Sequence, residues 1–138
     1  MKKLITLLFL LIAACSSIQT GNSGYRSKTF QADYSIAFTA IEDFCKDSNL
    51  KIISADKEHG LIKTDYVEFV STAKNSNGNL RSKINFNLSK VDENKTKVTI
   101  TMIVERQNNN LWMEMTMAED WTMQTYRNLW NTIGSKLK

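Results

Sequence analysis

Proline is absent from the sequence, and histidine occurs only once, as His59. Without proline, no helix or strand is interrupted by the loss of a backbone N–H group. A histidine-dependent catalytic triad would have to use His59, which lies next to Gly60 in a predicted tight turn. Asp56 and Glu58 are its acidic neighbours, but neighbouring turn residues cannot all converge on one metal ion. We therefore expect no metal site.

Other catalytic motifs are missing as well. The chain has no glycine-rich phosphate-binding loop and no nucleophile elbow. The acidic pairs Glu42-Asp43 and Asp92-Glu93 consist of adjacent residues, which point apart on a helix or lie in a turn. The sequence therefore predicts a protein that is not an enzyme and that binds no cofactor.

A long apolar run is also lacking. The apolar segment Leu4–Ala14 has eleven residues, with Thr6 as its only polar member. A membrane-spanning helix needs about 20 residues. The segment follows "MKK" and ends on two alanines, and a basic start, a short apolar stretch and small residues are typical of a secretory signal peptide. We assign residues 1–14 to such a leader.

The end of this leader, Ile12-Ala13-Ala14-Cys15, resembles the lipobox of bacterial lipoproteins. The resemblance implies that Cys15 receives a thioether-linked lipid, that the leader is cleaved before Cys15, and that the new amine is acylated. Cysteine suits this step because its thiolate is a strong nucleophile. A plain secreted protein and an uncleaved leader with a chance cysteine are the alternatives.

Ser16 follows the predicted lipidated cysteine. In similar lipoproteins, aspartate at this position favours retention at the inner membrane, and serine permits export to the outer membrane. The resemblance therefore implies a lipid anchor in the bacterial outer membrane that faces the periplasm. An inner-membrane anchor is the alternative.

Charge and cysteine content limit the partners of the mature chain. Loss of Lys2 and Lys3 leaves 16 of the 18 basic residues against 14 acidic ones, a net charge of +2. The basic residues are scattered, whereas nucleic-acid binding requires a cluster, so we expect no nucleic-acid partner. With Cys15 lipidated, Cys45 has no disulfide partner, and its place in an apolar helical pattern predicts a buried, inert thiol.

The mature chain divides into two segments. Residues 15–28 contain the lipidated cysteine and are rich in serine, glycine and asparagine, which predicts a flexible tether. Residues 29–138 are enough for one domain and no more.

The domain begins with helix-forming sequence. After a short strand at Thr29-Phe30, apolar side chains recur at helical spacing, which predicts a helix over residues 35–48. Asp33 or Ser35 can cap its start, and Asn49 can end it in the left-handed conformation.

Strand signals follow the helix. The β-rich runs "LKIISAD" and "LIKTDYVEFV" are separated by a turn at Gly60. "SKINFNLSKV" and "KTKVTITMIVER" alternate apolar with polar residues and are joined by "DEN". Alternation leaves one face of each strand in water, as in an antiparallel meander.

The C-terminal segment returns to helical periodicity. Thr116 and Glu119 form a predicted capping box for a helix over residues 117–137. The apolar face of this helix carries three aromatic residues, Trp121, Tyr126 and Trp130. The predicted fold class is α+β: a single antiparallel β-meander sheet packed against two helices, in the order β-α-β-β-β-β-α, a helix-grip arrangement.

Residues 34–66 also resemble the helix-grip domains of BamC (NlpB)-like lipoproteins. The shared pattern is a helix with alanine and aromatic residues, then a strand, then a turn into a second strand. The matching residues are Ala37, Ile41, Phe44, Ile53, Asp56, Gly60, Leu61, Ile62 and Thr64. The resemblance implies a non-catalytic envelope lipoprotein with a role in outer-membrane assembly or maintenance.

One apolar cluster lies in otherwise polar sequence. Residues 108–116, "NNNLWMEMT", contain Leu111, Trp112, Met113 and Met115 between the last predicted strand and the C-terminal helix. Trp112 either folds back as a lid on the core, or the four residues form an exposed apolar lip for a partner or a lipid. In the second interpretation Trp112 is the anchor, because tryptophan is enriched among residues that dominate binding energy.

Two functions fit these observations. The first is a lipid-anchored interaction module for a periplasmic or envelope protein partner. The second is a carrier that holds a small apolar ligand or lipid between helix and sheet. The bulky aromatic residues of the C-terminal helix favour a filled core, and therefore the interaction module.

Overall fold

A computed structural model describes residues 24–70 and 79–137 of the chain. The predicted leader, the lipobox with Cys15 and the first part of the tether lie outside the described residues. The described elements are a short 3₁₀ helix (Gly24–Arg26), β1 (Ser27–Phe30), α1 (Tyr34–Asp47), β2 (Ile52–Asp56), β3 (Leu61–Thr64), β4 (Val67–Val70), β5 (Asn79–Asp92), β6 (Lys95–Asn108), β7 (Leu111–Glu114) and α2 (Glu119–Lys136). The predicted α+β class, with an antiparallel sheet and two helices, is confirmed.

The domain starts earlier than residue 29. The indole N–H of Trp130 donates a hydrogen bond to the backbone carbonyl of Tyr25 at 2.6 Å. The rings of Tyr25 and Tyr126 meet edge to face, with 5.2 Å between their centroids. Residues 24–28, predicted as part of the tether, therefore belong to the folded domain.

The ends of α1 follow local signals. The Asp33 carboxylate accepts a hydrogen bond from the backbone N–H of Ser35 at 2.8 Å, so Asp33 is the N-cap. Asn49 has a φ of 55°, and the N–H of Leu50 donates to the carbonyl of Cys45 at 2.8 Å. This is a left-handed helix end, as predicted.

The sheet is built around one long hairpin. β5 and β6 have 14 residues each and pair from Leu80↔Arg106 to Asp92↔Lys95. We call one end of this hairpin the proximal half: there β1 pairs with residues 96–99 of β6, β3 pairs with residues 85–87 of β5, and β2 pairs with β3. We call the other end the distal half: there β4 pairs with residues 79–82 of β5, and β7 pairs with residues 105–108 of β6.

The main core lies between the two helices and the proximal half. Its buried residues include Ile41, Phe44 and Cys45 of α1, Ile62, Ile84, Phe86, Val98 and Ile100 of the sheet, and Tyr126, Trp130 and Ile133 of α2. The rings of Phe44 and Phe86 meet edge to face at 6.0 Å. The period-two pattern of β5 and β6 therefore faces the helices, as alternation predicts.

Two side-chain hydroxyls occupy the junctions where one short flanking strand ends and another begins. On the β5 side, the Thr64 hydroxyl donates to the carbonyl of Ile84 at 2.8 Å and accepts from its N–H at 3.1 Å. On the β6 side, the Tyr126 hydroxyl donates to the carbonyl of Ile100 at 3.3 Å and accepts from the N–H of Met102 at 3.2 Å. These bonds satisfy backbone groups that the flanking strands leave unmatched.

Gly60 allows the β2–β3 turn to approach β5 closely. Its φ is 71°, and its carbonyl accepts a hydrogen bond from the N–H of Leu88 at 2.8 Å. A Cβ at this position would collide with the carbonyl oxygen of Leu88. Both observations require glycine.

The strand order differs from the prediction in two places. The run 61–70, predicted as one strand, is divided into β3 and β4 by Asp65 and Tyr66. The predicted connector 108–116 contains β7. The observed order is β-α-β-β-β-β-β-β-α, and the sheet is not a simple meander because β1 adds beside β6.

The N-terminal end of α2 also departs from the prediction. Its N-cap is Ala118, without a side-chain cap hydrogen bond, so Thr116 is not the N-cap that the predicted capping box requires. Trp121 is 42% exposed and lies outside the core, whereas Tyr126 is buried as predicted. Neither helix in the described ranges is long and apolar enough to cross a membrane.

Candidate functional site

β7 folds back on β6 through a two-residue turn. Asn109 and Asn110 have φ values of 48° and 64°, and positive φ at both positions is typical of the type I′ turn that matches strand twist. Asparagine tolerates this region better than most residues. The two asparagines are thus the sequence signal for β7, which the interpretation of this segment as a connector overlooked.

The hairpin register places the predicted partner-binding residues on two faces. Met113 opposes Arg106 across the β6–β7 pair. Arg106 follows the core residue Ile100 by an even number of positions, so both lie on the face that carries the helices. Leu111 shares this face with Met113, whereas Trp112 lies on the helix-free face.

Trp112 packs against a guanidinium group on the helix-free face. The Cζ atom of Arg81 lies 4.2 Å from the centroid of the Trp112 ring and 4.0 Å from that of the Tyr66 ring. The cation is therefore held between two aromatic faces. Glu105 accepts hydrogen bonds from the Arg81 guanidinium and, at 2.9 Å, from the Tyr66 hydroxyl. We call these four residues the arginine cluster.

The arginine cluster holds the distal half together. Burial alone would raise the pKa of Glu105, but hydrogen bonds from Arg81 and Tyr66, together with the charges of Arg81 and Lys83, lower this pKa overall. The charged carboxylate of Glu105 joins β6 to Arg81 of β5. The rings of Trp112 and Tyr66 pack on Arg81 and so attach β7 and the residue before β4 to the same group. The interpretation of Trp112 as a lid on the core is wrong, because Trp112 lies on the opposite face of the sheet.

Apolar side chains remain exposed on the helix-bearing face of the distal half. Leu111 is 68% exposed and Met113 is 57% exposed. At the other edge, Val67 and Phe69 are each 39% exposed. We call these four residues the distal apolar surface. Single exposed apolar residues are ordinary, but a group of them on one face is typical of an interaction site.

Strand pairing connects the two edges of this surface. One cross-strand row runs through Phe69, Leu80, Arg106 and Met113. Leu80 is buried, and the Nε atom of Arg106 has no hydrogen-bond partner within the described ranges. The row therefore carries one guanidinium group between apolar side chains.

The two remaining predicted site residues, Met115 and Cys15, are not among the residues of the distal apolar surface. Met115 is half-buried, and its backbone N–H donates to the carbonyl of Val104 at 2.8 Å, which continues the β6–β7 pairing. Cys15 lies outside the described residues.

His59 and Cys45, which the sequence analysis singled out, are hydrogen-bonded or buried. The backbone N–H and the ring of His59 both hydrogen-bond Asp56, and these bonds lower the pKa of that carboxyl. Burial, aided by the charge of Glu42, raises the pKa of the Cys45 thiol to about 11. Across residues 24–70 and 79–137, no group of three or more His, Cys, Asp and Glu side chains could hold a metal ion.

Comparisons with known proteins identify the fold. No family model and no curated protein matches the sequence. The crystal structure of a DUF4468 family protein from Bacteroides ovatus has a TM-score of 0.50 at 11% identity, covering 80% of this chain and 84% of that one. The crystal structure of a TBP-like protein from Parabacteroides distasonis has a TM-score of 0.50 at 13% identity, covering 80% of this chain and 90% of that one. These similarities show a shared α+β fold, and the resemblance to BamC-like lipoproteins stays a prediction.

Proposed function

We propose that this protein is a lipid-anchored, periplasm-facing envelope lipoprotein that acts as a non-catalytic module for binding a protein partner. The observation that carries the proposal is the distal apolar surface. Its side chains stay exposed at the distal end of the helix-bearing face, and their burial against a partner is favourable. A role in outer-membrane assembly or maintenance follows from the BamC-like resemblance.

The anchor part of the proposal rests on the lipobox sequence at Cys15. Gly24 follows Cys15 by nine residues, and an extended chain of that length spans at most about 30 Å. A domain on such a short tether stays beside the membrane. The outer membrane is the proposed location, with the inner membrane as the alternative.

The chemistry of the distal apolar surface suits a protein partner. Methionine and leucine side chains adapt their shape to a partner, and one arginine among apolar residues gives a directional contact. Because Trp112 is held by Arg81, we now place the apolar contact on Leu111 and Met113. Trp112 contributes by fixing the strand that carries them.

The packing of the core does not favour the carrier alternative. The space between the helices and the proximal half is occupied by buried side chains, including Phe44, Phe86 and Tyr126. A surface groove of about 480 Å³ lies beside Ile36 of α1 and Lys136 of α2, away from the core. An apolar ligand is usually held in an enclosed, mostly apolar pocket, which this groove does not provide.

Site-specific crosslinking in cells tests the binding module. The full chain carries a photoreactive amino acid in place of Met113 and, as the control, in place of Val91, which is 56% exposed on β5. We expect an adduct with a polypeptide from position 113 and none from position 91. The absence of any polypeptide adduct at 113, or an adduct with lipid alone, would contradict a protein-binding surface.

The anchor has its own test. Mass spectrometry of the membrane fraction should show a lipid-modified N-terminal Cys15. The Cys15→Ser chain should be neither processed at this site nor retained in the membrane fraction. A membrane-bound, processed Cys15→Ser chain would refute the lipoprotein assignment.

A further inference from the structure

We propose that the partner at the distal apolar surface is a second copy of this chain, joined by antiparallel pairing of β7 with β7. This inference rests on the proposed function, since it names the partner of the same surface. β7 pairs with β6 alone, so its other edge has no strand beside it among residues 24–70 and 79–137. An open edge strand is a template for another strand.

Hydrogen-bond alternation shows which groups of β7 face this open edge. The N–H of Met115 donates to the carbonyl of Val104, so Met115 and Val104 form a hydrogen-bonded pair. Hydrogen-bonded and non-hydrogen-bonded pairs alternate along an antiparallel ladder. Met113 therefore bonds to β6 as well, while the backbone groups of Trp112 and Glu114 point to the open edge.

Three symmetric registers use these outward groups, centred on Trp112, on Met113 or on Glu114. Centring on Glu114 would place two glutamates opposite each other, and directly opposed like charges are destabilising. Centring on Trp112 places Glu114 opposite the partner's Asn110. Charge thus excludes the Glu114 register. Centring on Met113 would place Leu111 opposite the partner's Met115, which is half-buried. Centring on Trp112 instead brings together Leu111 and Met113, the two most exposed residues of the distal apolar surface, and this burial favours the Trp112 register.

This register also matches apolar side chains on the helix-bearing face. Leu111 lies opposite the partner's Met113, on the helix-bearing face, and Met113 lies opposite the partner's Leu111. The row through Phe69, Leu80 and Arg106 then continues into the second copy. The two most exposed apolar side chains of the distal apolar surface become neighbours across the interface, where each loses contact with water.

The geometry closes after two copies. Pairing of β7 with itself is isologous, so the two subunits are related by a two-fold axis and both β7 edges are used. Pairing of β7 with β4 of another copy would be heterologous and would lead to rings or open filaments of more than two copies. Two chains anchored in one membrane also meet at a raised effective concentration.

Cysteine pairing in membranes tests the register. In the proposed dimer, residues 111 and 113 of opposite copies form a non-hydrogen-bonded pair with about 4.5 Å between Cα atoms, within the range that a disulfide spans. The two copies of residue 111 are offset by two positions, as are the two copies of residue 113, so each of these pairs is a diagonal one with about 7–8 Å between Cα atoms. Full-length Leu111→Cys and Met113→Cys chains, with different tags, are therefore expressed together and separately and oxidised in the membrane fraction.

We expect a covalent dimer of the two tagged chains on co-expression, formed about tenfold faster than any dimer of either variant alone. The Val91→Cys chain, exposed to the same extent on the proximal side, controls for collision. Equal crosslinking by all variants, or none by the co-expressed pair, would overturn the inference. If none forms while the photoreactive group at position 113 still captures another protein, the proposed function stands and only the second copy is refuted.

Discussion

Replacement of Trp130 by alanine is the most direct test of how the core is built. Trp130 is 7% exposed, and its ring lies 6.0 Å from that of Phe30 on β1. Removing a large buried aromatic side chain costs about 3–5 kcal/mol. The indole N–H also donates to the carbonyl of Tyr25, and loss of such a bond costs about 1 kcal/mol. We expect the free energy of unfolding to fall by about 3–5 kcal/mol or more.

Two further variants serve as comparisons: one isolates the hydrogen bond of Trp130, and the other truncates an exposed tryptophan. Trp130→Phe keeps an aromatic contact with Phe30 and removes the hydrogen bond to Tyr25, so its loss should be about 1–2 kcal/mol. Trp121→Ala truncates a tryptophan of the same helix that is 42% exposed, and we expect a loss below about 1 kcal/mol.

Urea unfolding followed by circular dichroism gives these free energies. The order Trp130→Ala, then Trp130→Phe, then Trp121→Ala is the expected ranking of the losses. A loss below about 1 kcal/mol for Trp130→Ala would refute the placement of this α2 face against the sheet, because large losses are typical of buried aromatic residues.

Three other substitutions or measurements probe separate parts of the molecule. Gly60→Ala should lower the free energy of urea unfolding by about 2 kcal/mol or more, because residue 60 has a positive φ and a Cβ there would collide with β5. Gly24→Ala is the control and should be neutral, since a Cβ at position 24 meets nothing within 4 Å. Equal effects of the two substitutions would contradict the close approach of the Gly60 turn to β5. The Cys45 thiol, with its pKa raised to about 11, should react with a thiol reagent only after unfolding, and rapid labelling of the folded chain would show that it is accessible. Because the pKa of Glu105 is lowered in the folded chain, its stabilising effect is complete above the usual glutamate pKa of about 4.3 and is lost as the pH falls through the lowered value. The Glu105→Gln chain should therefore lose less stability than the natural chain on acidification, and parallel pH profiles would argue against the arginine cluster.

Features set by local chemistry could be predicted from the sequence. The Asp33 cap and the left-handed Asn49 depend on residues within one turn of the helix, so α1 was located closely. The alternation along β5 and β6 likewise predicts which side chains are buried. These elements need no knowledge of the rest of the fold.

Features set by distant contacts could not be predicted in this way. The break between β3 and β4 follows Thr64, whose hydroxyl bonds to Ile84 on another strand. The exposure of Trp121 depends on how far the helix extends beyond the main core. The position of Trp112 over Arg81 requires the β5–β6–β7 register, which no short stretch of sequence contains.

We expect the hydroxyl junctions at Thr64 and Tyr126 to let the two halves of the sheet open separately. Across each junction, a single side chain stands where the main chain of a flanking strand would otherwise continue. The distal strands β4 and β7 are therefore not carried along by β3 and β1 when thermal fluctuations loosen the sheet. Amide protons in β4 and β7 should exchange with solvent through local opening, while those of the central proximal strands exchange only when the whole domain unfolds.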